Sequence, residues 1–155
     1  MAKAKKDLAN VLLYALTASI SDLFGISTPA IVRRTGSALL KRAEARKWIP
    51  KDLKDPVEAL REFLRHYETE GYCSNITIER GDGEIYIKSY GIFDYERIEK
   101  LVLSNRHPCT ILSAVAMAFL NDYFNMSVAI NRLSFRLIKE QEGIEEVLNL
   151  VTVGG

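Results

Sequence analysis

The chain has 155 residues, enough for one domain with a sizeable core and no need of disulfide or metal staples. Apolar residues make up 48% and charged residues 26%, the balance of a globular chain, and no segment approaches the ~20 apolar residues of a membrane span. The net charge of +1 hides a split: residues 1–54 carry 11 Lys/Arg against 4 Asp/Glu, and residues 55–155 carry 10 against 16, an asymmetry that can steer partners or draw two copies together.

Residues 1–7 are expected to be flexible, and a single domain follows. The basic start and the run Val11 to Leu16 imitate a signal peptide, but Asp7 and Asn10 interrupt the approach. Leu8, Leu12, Ala15, Leu16, Ser19, Leu23 and Phe24 recur at helical steps, which predicts an amphipathic helix ended by Gly25. Thr28 and Pro29 open a second helix with a stripe of Val32, Thr35, Gly36, Leu39 and Ala43. Gly in a helix interior costs about 1 kcal/mol relative to Ala, so Gly36 implies close approach of another backbone. The expected place for that contact is a dimer interface formed by Gly36, Val32 and Leu39.

Pro56 opens a third helix to about Thr69, with Val57, Leu60, Phe63, Leu64 and Tyr67 inward. The period then becomes two: Ile76 and Ile78, then Ile85 and Ile87, flank Gly81, Asp82 and Gly83 as a β-hairpin. Asp94 caps a short fourth helix, with Phe93 and Ile98 at staple spacing. Pro108 starts a fifth helix, apolar nearly all round and therefore central. Val128 and Ile130 alternate in one phase, and Leu133, Phe135 and Leu137 in the other, which implies a bulge near Asn131 and Arg132. Gln141 to Gly143 forms a turn, and Val147 to Val153 forms the last strand. The fold class is α+β: about five helices on one face of a four-stranded antiparallel sheet made of two hairpins.

Three passages carry a resemblance: Arg33 to Leu40 with its central Gly36, the hairpin Ile76 to Ile87, and His107 to Phe119 followed by Ser127 to Asn131. Over about residues 10–153 the chain resembles the 4-vinyl reductase domain family, which shares its fold with subunits of the TRAPP vesicle-tethering complexes. The match is of pattern. Where members carry a pair of cysteines late in the chain, this sequence has Leu133 near the first position and no Cys in 144–153, so chemistry of that pair does not transfer. The resemblance implies a module that binds an apolar small molecule or dimerises as a scaffold. It also implies an apolar pocket between the central helix and the sheet, and a cysteine open to acylation.

Those implications give the candidate site. Cys109, Leu112, Ser113, Ala116 and Met117 on the fifth helix, with Ile76, Ile78 and Phe135 from the sheet, line the expected ligand pocket. Cys109 is the modification candidate: in the first helical turn its thiolate is favoured, whereas apolar surroundings oppose it. The alternative is a small buried hydrophobe. His66 with Glu62 lacks a third ligand for a metal. The basic residues Arg33, Arg34, Lys41, Arg42, Arg46, Lys47, Lys51 and Lys54 spread over most of one side with only Trp48 beside them, which disfavours nucleic acid and a membrane surface. No phosphate loop, nucleophilic triad or zinc spacing occurs, so no catalytic residue, cofactor or metal is assigned and an enzyme is not expected. The two cysteines, Cys73 and Cys109, have no pairing or metal spacing, so a reducing, cytoplasmic setting is the simpler reading. The expectation is a homodimeric, non-enzymatic binder of an apolar or amphipathic small molecule, with a ligand-free tethering subunit as the alternative.

Overall fold

The structure, a computed structural model, describes residues 2–24, 28–106 and 110–151. Its helices are α1 (Ala2–Phe24), α2 (Thr28–Ala45), α3 (Pro56–Thr69), α4 (Tyr95–Leu103) and α5 (Ile111–Phe124). Its strands are β1 (Asn75–Arg80), β2 (Glu84–Tyr90), β3 (Val128–Ile130), β4 (Arg136–Ile138) and β5 (Gly143–Leu150). All pairings are antiparallel, in the order β1-β2-β5-β3, with β4 also on β5. Gly25, expected to end the first helix, and the segment 107–109 lie outside the described residues.

Local chemistry accounts for most element ends. Asp55 caps α3 by accepting from the Glu58 amide at 2.9 Å, with Pro56 at the first helical position. Asn125 ends α5 in the left-handed conformation at φ 52. The expected hairpin is present, with Ile78 opposite Ile87 and both in the core. The five residues assigned inward on α3 are all buried.

The expected bulge is instead an interruption. Residues 132–134 form a 3-10 turn, capped where the Asn131 side chain accepts from the Leu133 amide at 3.1 Å. β3 and β4 on either side of it share one edge of β5: Val128 to Ile130 pair with Leu150 to Leu148, and Arg136 to Ile138 with Glu145 to Gly143. The last strand also begins at Gly143 rather than Val147, which brings Glu145 and Glu146 into the sheet. The extra residues reverse direction at Glu142, φ 47, so strand geometry starts directly after the turn.

α5 is the central element. Phe119 stacks on Phe63 of α3 with ring centroids 4.6 Å apart, and Leu112, Val115, Ala116 and Leu120 join the same buried cluster as Ile78, Ile85, Ile87 and Leu148 of the sheet. On its other side lies α2. A Cβ at Gly36 would sit 2.3 Å from the Ala114 carbonyl oxygen, so only glycine permits this helix crossing. Gly36 and buried Val32, expected at a dimer interface, are therefore spent on packing within the chain, and Leu39 is half-buried against the core. Gly36→Ala gains about 1 kcal/mol of helix propensity but meets a backbone carbonyl that cannot swing aside, at an overpacking cost of roughly 1–3 kcal/mol or more. Urea denaturation should show a net loss of stability, with an unchanged m-value.

Candidate functional site

Two regions stand apart from ordinary packing: a polar cluster sealed in the core and the outer face of α1. The cluster begins at Asp94. Its side chain makes no cap bond, contrary to expectation. Arg97, one turn along α4, donates to Asp94 Oδ2 from Nε at 2.9 Å and from Nη2 at 2.6 Å. The Tyr72 hydroxyl donates to Asp94 Oδ1 at 2.9 Å. Both members of the ion pair are buried, where an unpaired charge would be far costlier than on the surface.

Across from the pair stands Glu146, 1% exposed, on the core face of β5 between Ile144 and Leu148. Thr110 caps α5, its Oγ1 accepting from the Ser113 amide at 3.3 Å and donating to Glu146 at 2.7 and 2.9 Å. Ser113 Oγ is 2.5 Å from Thr110 Oγ1. Burial pushes the Glu146 carboxyl up to about 7; the Thr110 and Ser113 hydroxyls and Arg97 pull it down, and Asp94 adds to the rise. Ser89, diagonal to Glu146 on the same sheet face, is buried and its Oγ has no hydrogen-bond partner.

The cluster reaches α1 through Asn10, 3% exposed. Asn10 Nδ2 donates to the Lys6 and Phe93 carbonyls at 2.9 and 3.2 Å, and Oδ1 accepts from the Arg97 amide at 3.2 Å. A buried amide inside means that the leucines face out: Leu8, Val11, Leu12 and Leu16 are 60%, 56%, 55% and 61% exposed, and Ala15 is exposed among them. These residues fall at i, i+3, i+4, i+7 and i+8, one continuous apolar stripe pointing away from the chain's own core. The periodicity was legible in the sequence. The side on which it would lie was not.

The sequence-assigned pocket residues divide. Ile78, Leu112 and Ala116 are buried in one cluster, against which Ile76, Met117 and Phe135 pack partly buried. Ser113 turns instead to Thr110 and Glu146. Cys109 lies outside the described residues; the described part of α5 begins at Ile111 after an extended Thr110. Cys73 is buried, and burial with nearby Glu68 pushes its thiol up to about 12. Two concavities among the described residues lie at the surface. One, of about 480 Å3, runs between α3 and the edge of β1, and one of about 390 Å3 lies beside β2 and β4.

His66 stacks flat on Trp48 at 5.2 Å, and Arg46 covers the same ring at 4.8 Å. The eight basic residues singled out are exposed. Among the described residues no group of three His, Cys, Asp or Glu side chains is placed to hold a metal ion, and no helix is long and apolar enough to cross a membrane.

No family model and no curated protein matches the sequence. Among solved structures, the chain is similar to a trafficking protein particle complex subunit 3 from Naegleria fowleri, covalently bound to palmitic acid, with a TM-score of 0.60. The likeness covers 96% of each chain at 13% identity. The fold is therefore TRAPP-like, with five helices and an antiparallel sheet. The expected 4-vinyl reductase assignment has no match behind it.

Glu146 gives a pH prediction with a definite sign. Its folded pKa, about 7, is raised from 4.5, so the fold favours the protonated form. Stability is full below about pH 4.5, declines as pH rises toward 7, and stays reduced above it. Glu146→Gln removes the charge and keeps the shape, and should gain up to about 3 kcal/mol over wild type at pH 8 and little at pH 4.5. Urea titrations of both proteins across that range measure it.

Proposed function

We propose that this chain is a non-enzymatic assembly module that forms a homodimer through the outer face of α1. The observation that carries the reading is the orientation of α1, with Asn10 buried and Leu8, Val11, Leu12 and Leu16 exposed in a row. Leaving such a stripe in water forfeits burial worth about 25 cal/mol per Å2, so a surface of this kind is built to be covered. Leu8, Leu12 and Leu16, spaced by four, are self-complementary about Leu12 when a second α1 runs antiparallel.

Charge favours the same pairing. The N-terminal turns of α1 hold Lys3, Lys5 and Lys6, and its C-terminal end carries the negative end of the helix dipole. An antiparallel partner brings each lysine-bearing end to the other's C-terminal end; a parallel one sets lysines against lysines. Covering α1 also uses a surface that the core does not need, so assembly and folding are separable.

A second reading is favoured by the palmitic acid held covalently by the similar trafficking subunit. In this chain the corresponding proposal is an acyl chain on Cys109, or an apolar molecule among Leu112, Ala116, Met117, Ile76, Ile78 and Phe135, which share one cluster. Intact-mass spectrometry of protein from its native host checks it: an adduct lost on hydroxylamine treatment and absent from Cys109→Ser supports acylation, and bare mass under native and denaturing conditions removes both forms of this reading.

For the dimer, Leu12→Asp should weaken association by roughly 100-fold, the magnitude of a central apolar anchor. Thr77→Asp, exposed on β1, should leave it unchanged. Sedimentation velocity over a concentration series reads both, and circular dichroism should show each variant folded. A wild type that stays monomeric at 100-fold above micromolar concentration, on the order of the range in which standard interfaces hold, refutes the proposal.

A further inference from the structure

β1 stands at one end of the sheet, and among the described strands it pairs with β2 alone. In an antiparallel ladder every second residue turns its N–H and C=O away from its partner. On β1 these outward residues include Ile76 and Ile78, and side chains of α3 meet them where a neighbouring strand would be. The Ile76 N–H donates to the Glu68 carboxylate at 2.5 Å. The Ile78 carbonyl accepts from Arg61 Nε at 3.0 Å and from Arg61 Nη2 at 2.7 Å. A carboxylate thus takes the place of a strand's C=O, and a guanidinium that of its N–H. A bare edge pairs with foreign sheets, so this cover protects the free protein.

Two features make the cover exchangeable. A groove of about 480 Å3 stays open between α3 and this edge, within the range of ligand-binding clefts. Each stand-in also has another partner within reach on its own helix. Arg61 already pairs with Glu58 through Nη1. Arg65, exposed and with its side chain unpartnered among the described residues, lies three residues before Glu68 and lines the same groove. When both side chains swing off the strand, each charge keeps a counter-charge, and surface ion pairs of this kind exchange at little cost.

We propose that the groove is a strand-addition site: an extended segment of a partner protein displaces Glu68 and Arg61 and pairs with β1 through the outward groups of Ile76 and Ile78. The alternation of β1 dictates the side chains of that segment. Ile76 and Ile78 point to the core side, half-buried and buried, so the residues opposite them are apolar. Thr77 and Glu79 point to the other side and are exposed. The Glu79 side chain has no partner among the described residues, so the residue opposite it is Lys or Arg. Residues 55–155, which include both walls of the groove, carry 10 Lys/Arg against 16 Asp/Glu and draw a basic segment. The site uses no residue of α1, so it holds or fails separately from the dimer.

The test is selection of random peptides of about ten residues, long enough to span the strand, displayed on phage and panned against the full chain. The selected sequences should alternate apolar and basic residues. Each is then synthesised and titrated by fluorescence anisotropy with one alternate set of its amides N-methylated, then the other. Only the set facing β1 donates to the edge, so one pattern should weaken binding on the order of tenfold and the other should spare it. Glu68→Ala should tighten binding, because the competitor for the Ile76 N–H is gone. Ile76→Pro removes that N–H without breaking the β2 ladder and should weaken binding on the order of tenfold. Where Ile76→Pro folds poorly, the N-methylated peptides on wild type carry the same information. Selection of no peptide, selection of acidic sequences, or equal binding by both N-methylated patterns overturns the proposal. So does self-association of wild type that Ile76→Pro abolishes, since a second copy would then fill the edge.

Discussion

The buried pair of Asp94 and Arg97 is the constraint around which this fold is arranged. Two charges taken out of water need each other and need every remaining lone pair and proton matched. Asp94 receives two bonds from Arg97 and one from Tyr72, and its side chain is turned to these partners instead of capping the head of α4. The Arg97 amide and the Phe93 carbonyl then turn to α1, and Asn10 answers both. That single choice sets the roll of α1 about its axis. With the amide inside, the leucines are outside.

The same constraint bears on the assembly proposed above. A helix docked by a polar side chain has its apolar side free for another molecule, whereas a helix docked by leucines would have none. α2 is the contrast: its stripe is consumed within the chain, because Gly36 brings it onto the α5 backbone. Two helices with amphipathic sequences thus turn their apolar stripes in opposite directions, one into the chain and one out of it. The TRAPP-like fold frames both.

Much of the architecture was legible in the sequence because period and punctuation are local signals. Pro56 marked α3, Gly81 to Gly83 marked the hairpin, and the all-round apolar pattern of Ile111 to Leu120 marked the central helix. What was illegible depends on long-range choices. A leucine stripe announces a helix but not which way it faces, and Asn10 read only as an interruption of an apolar run. Glu146 was missed because the last strand was started at Val147. Extended back to Gly143, the alternation of Ile144, Glu146 and Leu148 would have put an acid on the core face. Thr110 gave no cap signal in the sequence, because Pro108 two residues earlier is the stronger mark of a helix start.

The most direct test of the outward-facing α1 is a symmetric cross-link. In a Cys109→Ser background, with Cys73 buried and its thiol pushed up to about 12 and so unreactive, Leu12→Cys places one thiol per chain at the centre of the stripe. Mild oxidation of the folded protein should then give a disulfide-linked dimer, while Leu8→Cys and Leu16→Cys should link efficiently only when the two variants are mixed. Failure of Leu12→Cys to link, with Leu8→Cys linking readily to itself, would contradict the antiparallel pairing, and no linkage at any of the three positions would contradict the claim that this face meets a second copy.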